Sequence, residues 1–223
     1  MSNKKKDTPK EFQKRIVHNL IILDESGSME SIKNATIQGF NEVVQTIKGV
    51  EKQYPEQKHY ISLVTFNGLG IKNKLFCKKV RNLEELDGNS YRPDSMTPLY
   101  DAIGFSANKL LKKLEKKKNY NVLVTILTDG LENASKEYSG RAIKELIEDL
   151  RQKGWTFTYI GANHDVEKVA ASISIVNHLQ FEANEKDVKR VFERDKSARA
   201  MYAMKMRKNE DLQADYFEQE NED

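Results

Sequence analysis

The chain has 223 residues, 37 of them Lys or Arg and 34 Asp or Glu, giving a formal charge of +3. Its hydrophobic share of 38% lies below the usual ~45–50% and its charged share of 32% above the usual ~25%, yet one sizeable core is still affordable. No apolar run approaches the ~18 residues of a membrane-spanning helix, Met1–Lys14 lacks the apolar stretch of a secretory signal, and a single Cys excludes an internal disulfide and a Cys-based zinc site. The expectation is a soluble, cytoplasmic protein.

Residues 1–15 form a basic extension. His18–Asp24 is a near-continuous apolar run that ends in a carboxylate and reads as a strand. Ile32, Phe40, Val43, Val44 and Ile47 then share one face of a helix over about 31–49. His59–Asn67 is the next strand, rich in β-branched residues. The stretch Gly68–Met96 breaks the rhythm, with Leu75–Val80 as a short edge strand followed by a long loop. A helix over 98–116 follows, carrying Leu99, Ile103, Ala107, Leu110 and Leu114 on one face. It starts at Thr97-Pro98 and has lysines in its last turns, where the helix dipole favours them.

Asn121–Asp129 is another strand, and Ile143, Leu146, Ile147 and Leu150 mark a helix that Gly154 ends. Trp155–Gly161 and His178–Phe181 are weaker strands around a short helix after Asp165. Val188, Val191, Phe192, Tyr202 and Met206 predict one more long helix over 185–209, a C-terminal extension after the domain at 16–184 that either packs on the sheet or reaches beyond it. The last fourteen residues, 210–223, carry −7 and residues 1–209 carry +10. The acidic end reads as a disordered, solubilising tail. The lysines of the body are interleaved with Glu and read as a solvated surface, with nucleic acid a weaker candidate.

Alternating strands and helices predict an α/β fold, doubly wound, with a mostly parallel central sheet, one short antiparallel edge strand and helices on both faces. In such sheets ligands bind outside the carboxyl ends of the strands. The first strand leaves as Asp24-Glu25-Ser26-Gly27-Ser28 and the fourth as Thr128-Asp129-Gly130, and Thr97 lies in a loop returning to the same edge. Five oxygen side chains therefore converge: Asp24, Ser26, Ser28, Thr97 and Asp129. Oxygen-only donors mean a hard cation, Mg²⁺ best and Mn²⁺ also acceptable. Hydroxyls hold a cation without quenching its charge, so such a site wants a further anion, most simply a carboxylate.

Asp-x-Ser-x-Ser at Asp24, Ser26 and Ser28, Thr97 in Met-Thr-Pro-Leu-Tyr-Asp-Ala-Ile and Asp129 in Ile-Leu-Thr-Asp-Gly resemble a von Willebrand factor A domain with an intact metal-ion-dependent adhesion site. The resemblance covers roughly residues 16–182. It implies that Ser26, Ser28 and Thr97 offer hydroxyls, Thr97 directly or through water depending on the ligated state, and that Asp24 and Asp129 act mainly through water or hydrogen bonds. It also implies a non-enzymatic module whose metal takes a Glu or Asp of a protein partner as its last ligand, and intracellular members serve in multiprotein assemblies, some with ATPases.

Other residues carry less. His18, His59, His164 and His178 are dispersed and read as structural or solvent-facing. Asn163, His164 and Asp165 follow a strand at the candidate edge and are candidates for its rim, whereas Glu132 and Asn133 read as the start of a loop. Cys77 reads as a small buried residue, and Met201, Met204 and Met206 as helix packing. A Mg²⁺-dependent phosphoryl-transfer hydrolase with an Asp nucleophile is the enzymatic alternative. Its haloacid dehalogenase-like form wants a second Asp where Ser26 stands, and no Walker-type loop is present. A nucleic-acid-binding scaffold is the third reading.

Overall fold

The computed structural model describes residues 14–83, 85–213 and 215–217. Strands β1 (Arg15–Asp24), β2 (Gln57–Asn67), β3 (Gly70–Lys79), β4 (Tyr120–Thr128), β5 (Trp155–Ala162) and β6 (Asn177–Phe181) form one sheet in the order β3-β2-β1-β4-β5-β6. Every neighbouring pair is parallel except β2 with β3. The order starts at β1 and runs outward both ways, which is double winding. Helices α1 (Lys33–Gln53) and α5 (Glu185–Lys208) cover one face, and α2 (Leu99–Leu114), α3 (Gly140–Gln152) and α4 (Val166–Ser172) cover the other.

The central strand explains the two cores. Along β1, Val17, Ile21 and Leu23 enter the cluster under α1 and α5, while Leu20 and Ile22 enter the cluster under α2, α3 and α4. Successive side chains alternate across a strand, so a run apolar at every position is covered on both faces. The hydroxyl and amide of Thr125 and Asn19 interrupt the apolar face under α5, and both are answered by Arg199 of that helix. Its guanidinium donates to Asp195 Oδ2 at 2.6 Å, to Thr125 Oγ1 at 2.8 Å and to Asn19 Oδ1 at 3.3 Å. Arg199 and Asp195 are both buried, and the neighbouring hydrogen bonds let an ion pair persist there.

Two features differ from the sequence expectation. The edge strand begins at Gly70 rather than Leu75. Its first half, Ile71-Lys72-Asn73-Lys74, is too polar to register as a strand, yet lysines suit an edge that must not pair with other chains. It leaves β2 by a tight turn in which Asn67 Oδ1 accepts from Leu69 N at 3.0 Å and Gly70 adopts φ 140°. Of the two placements open to the helix over 185–209, the structure shows the packed one: Phe192 lies against α1 at Gly39, where a Cβ would fall 1.9 Å from the ring.

Part of the expected disordered tail is also ordered. Thr156 Oγ1 donates to the Leu212 carbonyl at 2.9 Å, and Asn177 brackets the segment by donating to the Gln213 carbonyl and accepting from Tyr216 N. Tyr216 and Phe217 are buried, and the Tyr216 hydroxyl donates to Asp195 Oδ1 at 3.1 Å. Acidic neighbours masked these two aromatic residues in the sequence. Residues 1–13 and 218–223, the remainder of the basic extension and of the tail, lie outside the described residues.

His18 and His59 are buried on opposite faces of the sheet, His18 stacked on Tyr60 and His59 beside Asn19. Burial pushes both down to about 4, and the Arg199 charge adds to the effect on His59. The folded chain thus keeps them neutral while the unfolded chain protonates them near 6.5. Their contribution is complete above that pH and is lost as pH falls toward 4, on the order of 3 kcal/mol for each. A His59→Gln variant is therefore expected to lose less of its urea midpoint between pH 7 and pH 5 than the parent does. Gly39→Ala is expected to lower stability by about 1–3 kcal/mol in the same assay, because the Phe192 ring must be displaced.

Candidate functional site

The sheet register places Leu23 beside Leu127, so Asp24 and Thr128 stand level at the carboxyl edge. Thr128 Oγ1 donates to Asp24 Oδ2 at 2.6 Å, and the Ser26 amide donates to Oδ1 at 2.7 Å. Asp24 is fully buried, and burial raises its pKa to about 6 against the pull of those hydrogen bonds, with Asp129 adding to the rise. Asp129, one residue past Thr128, is 2% exposed and is also raised by burial. Its Oδ1 accepts from Ser28 Oγ at 2.5 Å, and its Oδ2 is buried with no hydrogen-bond partner.

The hydroxyls gather around this pair. Ser26 Oγ lies 3.3 Å from Ser28 Oγ. Gly130 faces the Thr97 and Ser28 hydroxyls with open backbone: a Cβ there would stand 3.4 Å from Thr97 Oγ1 and 3.9 Å from Ser28 Oγ. All five predicted residues are thus brought to one place, four of them buried and Ser28 exposed. Ser28 is no helix cap, since its hydroxyl is spent on Asp129 and α1 begins only at Lys33, after a 3-10 turn over Gly27–Ile32.

A second set of residues holds these loops, and the sequence reading passed over most of them. The long irregular segment before α2 is fastened to the first loop. Tyr91 Oη donates to the Asp24 carbonyl at 2.5 Å, Arg92 N to Glu25 Oε1 at 2.8 Å, Asp94 N to the Glu25 carbonyl at 2.9 Å and Gly27 N to the Ser95 carbonyl at 3.0 Å. The Glu25 carboxylate is buried, with Lys72 and Lys74 of β3 at 3.7 and 3.8 Å. Thr97 is fixed by Asn133, whose Oδ1 accepts from Thr97 N at 2.8 Å and whose backbone N–H donates to the Thr97 carbonyl at 3.1 Å.

Glu132 does more than begin a loop. It accepts from the amides of Tyr100, Ala134 and Ser135 at 2.9, 2.8 and 2.6 Å, which ties the start of α2 to the strand-end loop. Asp101 similarly accepts from the amides of Lys136, Glu137 and Tyr138. Of the rim candidates, His164 hydrogen-bonds Tyr159 Oη at 3.2 Å and lies near enough for its charge to lower Asp129. Asp165 caps α4 by accepting from Lys168 N at 3.0 Å, and Asn163 is exposed. His178 is turned to the Val176 carbonyl, Cys77 is half-buried on β3, and Met206 lies on the buried face of α5.

Two buried carboxylates with raised pKa values, one of them with an unpartnered oxygen, form a site short of positive charge. Among the described residues no three His, Cys, Asp or Glu side chains cluster as metal ligands. The donors are two carboxylates and three hydroxyls, a set suited to a hard cation that retains water.

A family model described as von Willebrand factor type A domain matches residues 20–201. The match runs well into α5, past the boundary at 184 expected from sequence. No curated protein matches. Among solved structures, the pilus adhesin SpaC of Lactobacillus rhamnosus GG in its open conformation aligns with TM-score 0.61 at 12% identity, over 86% of this chain and 31% of that one. Proximal thread matrix protein 1 from the mussel byssus aligns with TM-score 0.53 at 13% identity, over 83% of this chain and 46% of that one. The VWA domain of SpRpn10 aligns with TM-score 0.52 at 10% identity, over 82% of this chain and 95% of that one. This chain thus spans less than half the length of the first two. At these identities the likeness is one of fold.

Glu132→Ala leaves at least three backbone amides without their acceptor. It is expected to lower stability by about 2–3 kcal/mol in urea unfolding, whereas Glu132→Gln, which keeps an oxygen there, is expected to lose less than half as much.

Proposed function

This chain belongs to the von Willebrand factor type A domain family, and we propose that it acts as a Mg²⁺-dependent protein-interaction module. Domains of this family are protein-interaction modules in general, and the finer assignment rests on the geometry at the strand ends. The observation that carries it is the buried, unpartnered Oδ2 of Asp129, set among the hydroxyls of Ser26, Ser28 and Thr97. Ser26, Ser28 and Thr97 would hold the ion, and Asp24 and Asp129 would balance its charge through water or hydrogen bonds. Bound Mg²⁺, or Mn²⁺ in its place, would supply an electrophilic position suited to a carboxylate oxygen.

The chain's own part is positional. Thr128 and the Ser26 amide fix Asp24, Ser28 orients Asp129, and Asn133 presents Thr97. With the two acids acting through water or hydrogen bonds and the hydroxyls bringing no charge, the ion would keep an open coordination position, which a Glu or Asp from a protein partner would complete. Neither the hydrolase nor the nucleic-acid reading gains an observation here. Among the described residues no helix is long and apolar enough to cross a membrane.

Millimolar Mg²⁺ is expected to raise the thermal midpoint of the parent chain and to leave Asp129→Ala and Ser26→Ala unmoved. A ligand at a hundredfold excess over its Kd adds about 2.7 kcal/mol to the folded state, enough to be read by differential scanning fluorimetry. Equal shifts in parent and variants would remove the assignment.

A further inference from the structure

A cavity of about 970 Å³ opens directly beside the candidate site. Ser95, Met96 and Pro98, the neighbours of Thr97, form its head. From there it runs between the β2–β3 turn and α2, with Ile71 and Asn73 on one wall, Phe105 and Lys109 on the other, and residues 133–136 closing the side. Met96 and Phe105 are large apolar side chains left 50% and 46% exposed. An apolar pair this open beside a polar site is what a partner's side chain can cover.

The charges that line the cavity are Asp101, Lys109 and Lys136. Asp101 is 7% exposed, and its two oxygens already accept three backbone amides. Lys109 and Lys136 are exposed, and among the described residues neither is ion-paired. Lys109 Nζ rests 4.6 Å from the centre of the Phe76 ring, which holds it over the β3 wall. The free charge of the groove is therefore positive.

We propose that this groove receives an extended, acidic segment of a protein partner. One carboxylate sits at the metal, an apolar side chain covers Met96 and Phe105, and a second carboxylate meets Lys109. The proposal deepens the metal-site reading and rests on it for the first contact only. The helix from Leu99 to Lys109 spans about 15 Å at 1.5 Å per residue. An extended chain advances about 3.3 Å per residue, so the second acid follows the first by four or five positions. Nucleic acid fits less well, because a polyanion is held by a longer row of cations than the two that line this groove.

The test uses the full chain and fluorescein-labelled peptides of Gly and Ser that carry Glu first, Leu third and Glu sixth. A matched peptide has Gln at the sixth position. In Mg²⁺, Lys109→Glu is expected to weaken the two-Glu peptide about tenfold and to leave the Gln-containing peptide nearly unchanged, while Phe105→Ala weakens both. Equal effects of Lys109→Glu on the two peptides, or no binding by the parent up to millimolar peptide, would overturn the groove assignment. Displacement of the peptide by single-stranded DNA of equal charge at lower concentration would overturn it in favour of nucleic acid. The metal reading fails separately: if EDTA leaves parent binding intact, the difference between the two peptides still reports on the lysines.

Discussion

Two carboxylates buried side by side at the end of a parallel sheet are the constraint around which this molecule is arranged. Asp24 is saturated by Thr128 and the Ser26 amide, Asp129 is half-satisfied by Ser28, and one oxygen is left over. Burial raises both acids, Asp24 to about 6. An apolar environment resists negative charge unless a positive one is supplied. His164, the nearby ring whose charge lowers Asp129, is itself pushed down by burial. The deficit is thus built into the fold, and the hydroxyls beside it offer donors that do not cancel an incoming cation.

Holding that arrangement is the work of backbone amides more than of side-chain pairs. Glu25, Asp101, Glu132 and Asn133 each collect main-chain N–H groups from a loop distant in sequence. Carboxylates do this well because charge-assisted hydrogen bonds are the stronger kind. The irregular segment before α2 therefore carries Thr97 to its place without regular secondary structure of its own. The same use of polar side chains recurs under α5, where Arg199 and Asp195 tie the final helix to β1, β4 and the segment around Tyr216.

The order of elements and the five convergent oxygens were legible in the sequence because both are local signals. Unbroken apolar runs mark buried strands, and Asp-x-Ser-x-Ser declares itself within five residues. The roles of Glu25, Asp101 and Glu132 were not legible, since their partners are amides that only the tertiary fold brings near. Tyr216 and Phe217 were hidden by the acidic residues around them, and the first half of β3 by its lysines. In each case a long-range partner overrode a local composition. Which surface the final helix covers was not legible either: α5 looks amphipathic in isolation, and only the fit of Phe192 against Gly39 shows where it lies.

The groove that begins beside Thr97 and carries Lys109 along α2 would extend the same electrostatic logic outward, from the proposed cation to the proposed acids of a partner. The claim beneath all of this is that a divalent ion settles among Ser26, Ser28, Thr97 and Asp129. Titrating the ¹⁵N-labelled chain with substoichiometric Mn²⁺ and following amide line broadening tests it most directly. The amides of Ser28, Thr97 and Gly130 are expected to vanish first and to return when excess Mg²⁺ displaces the manganese. Broadening confined to the acidic C-terminal residues, with those three amides untouched, would contradict it.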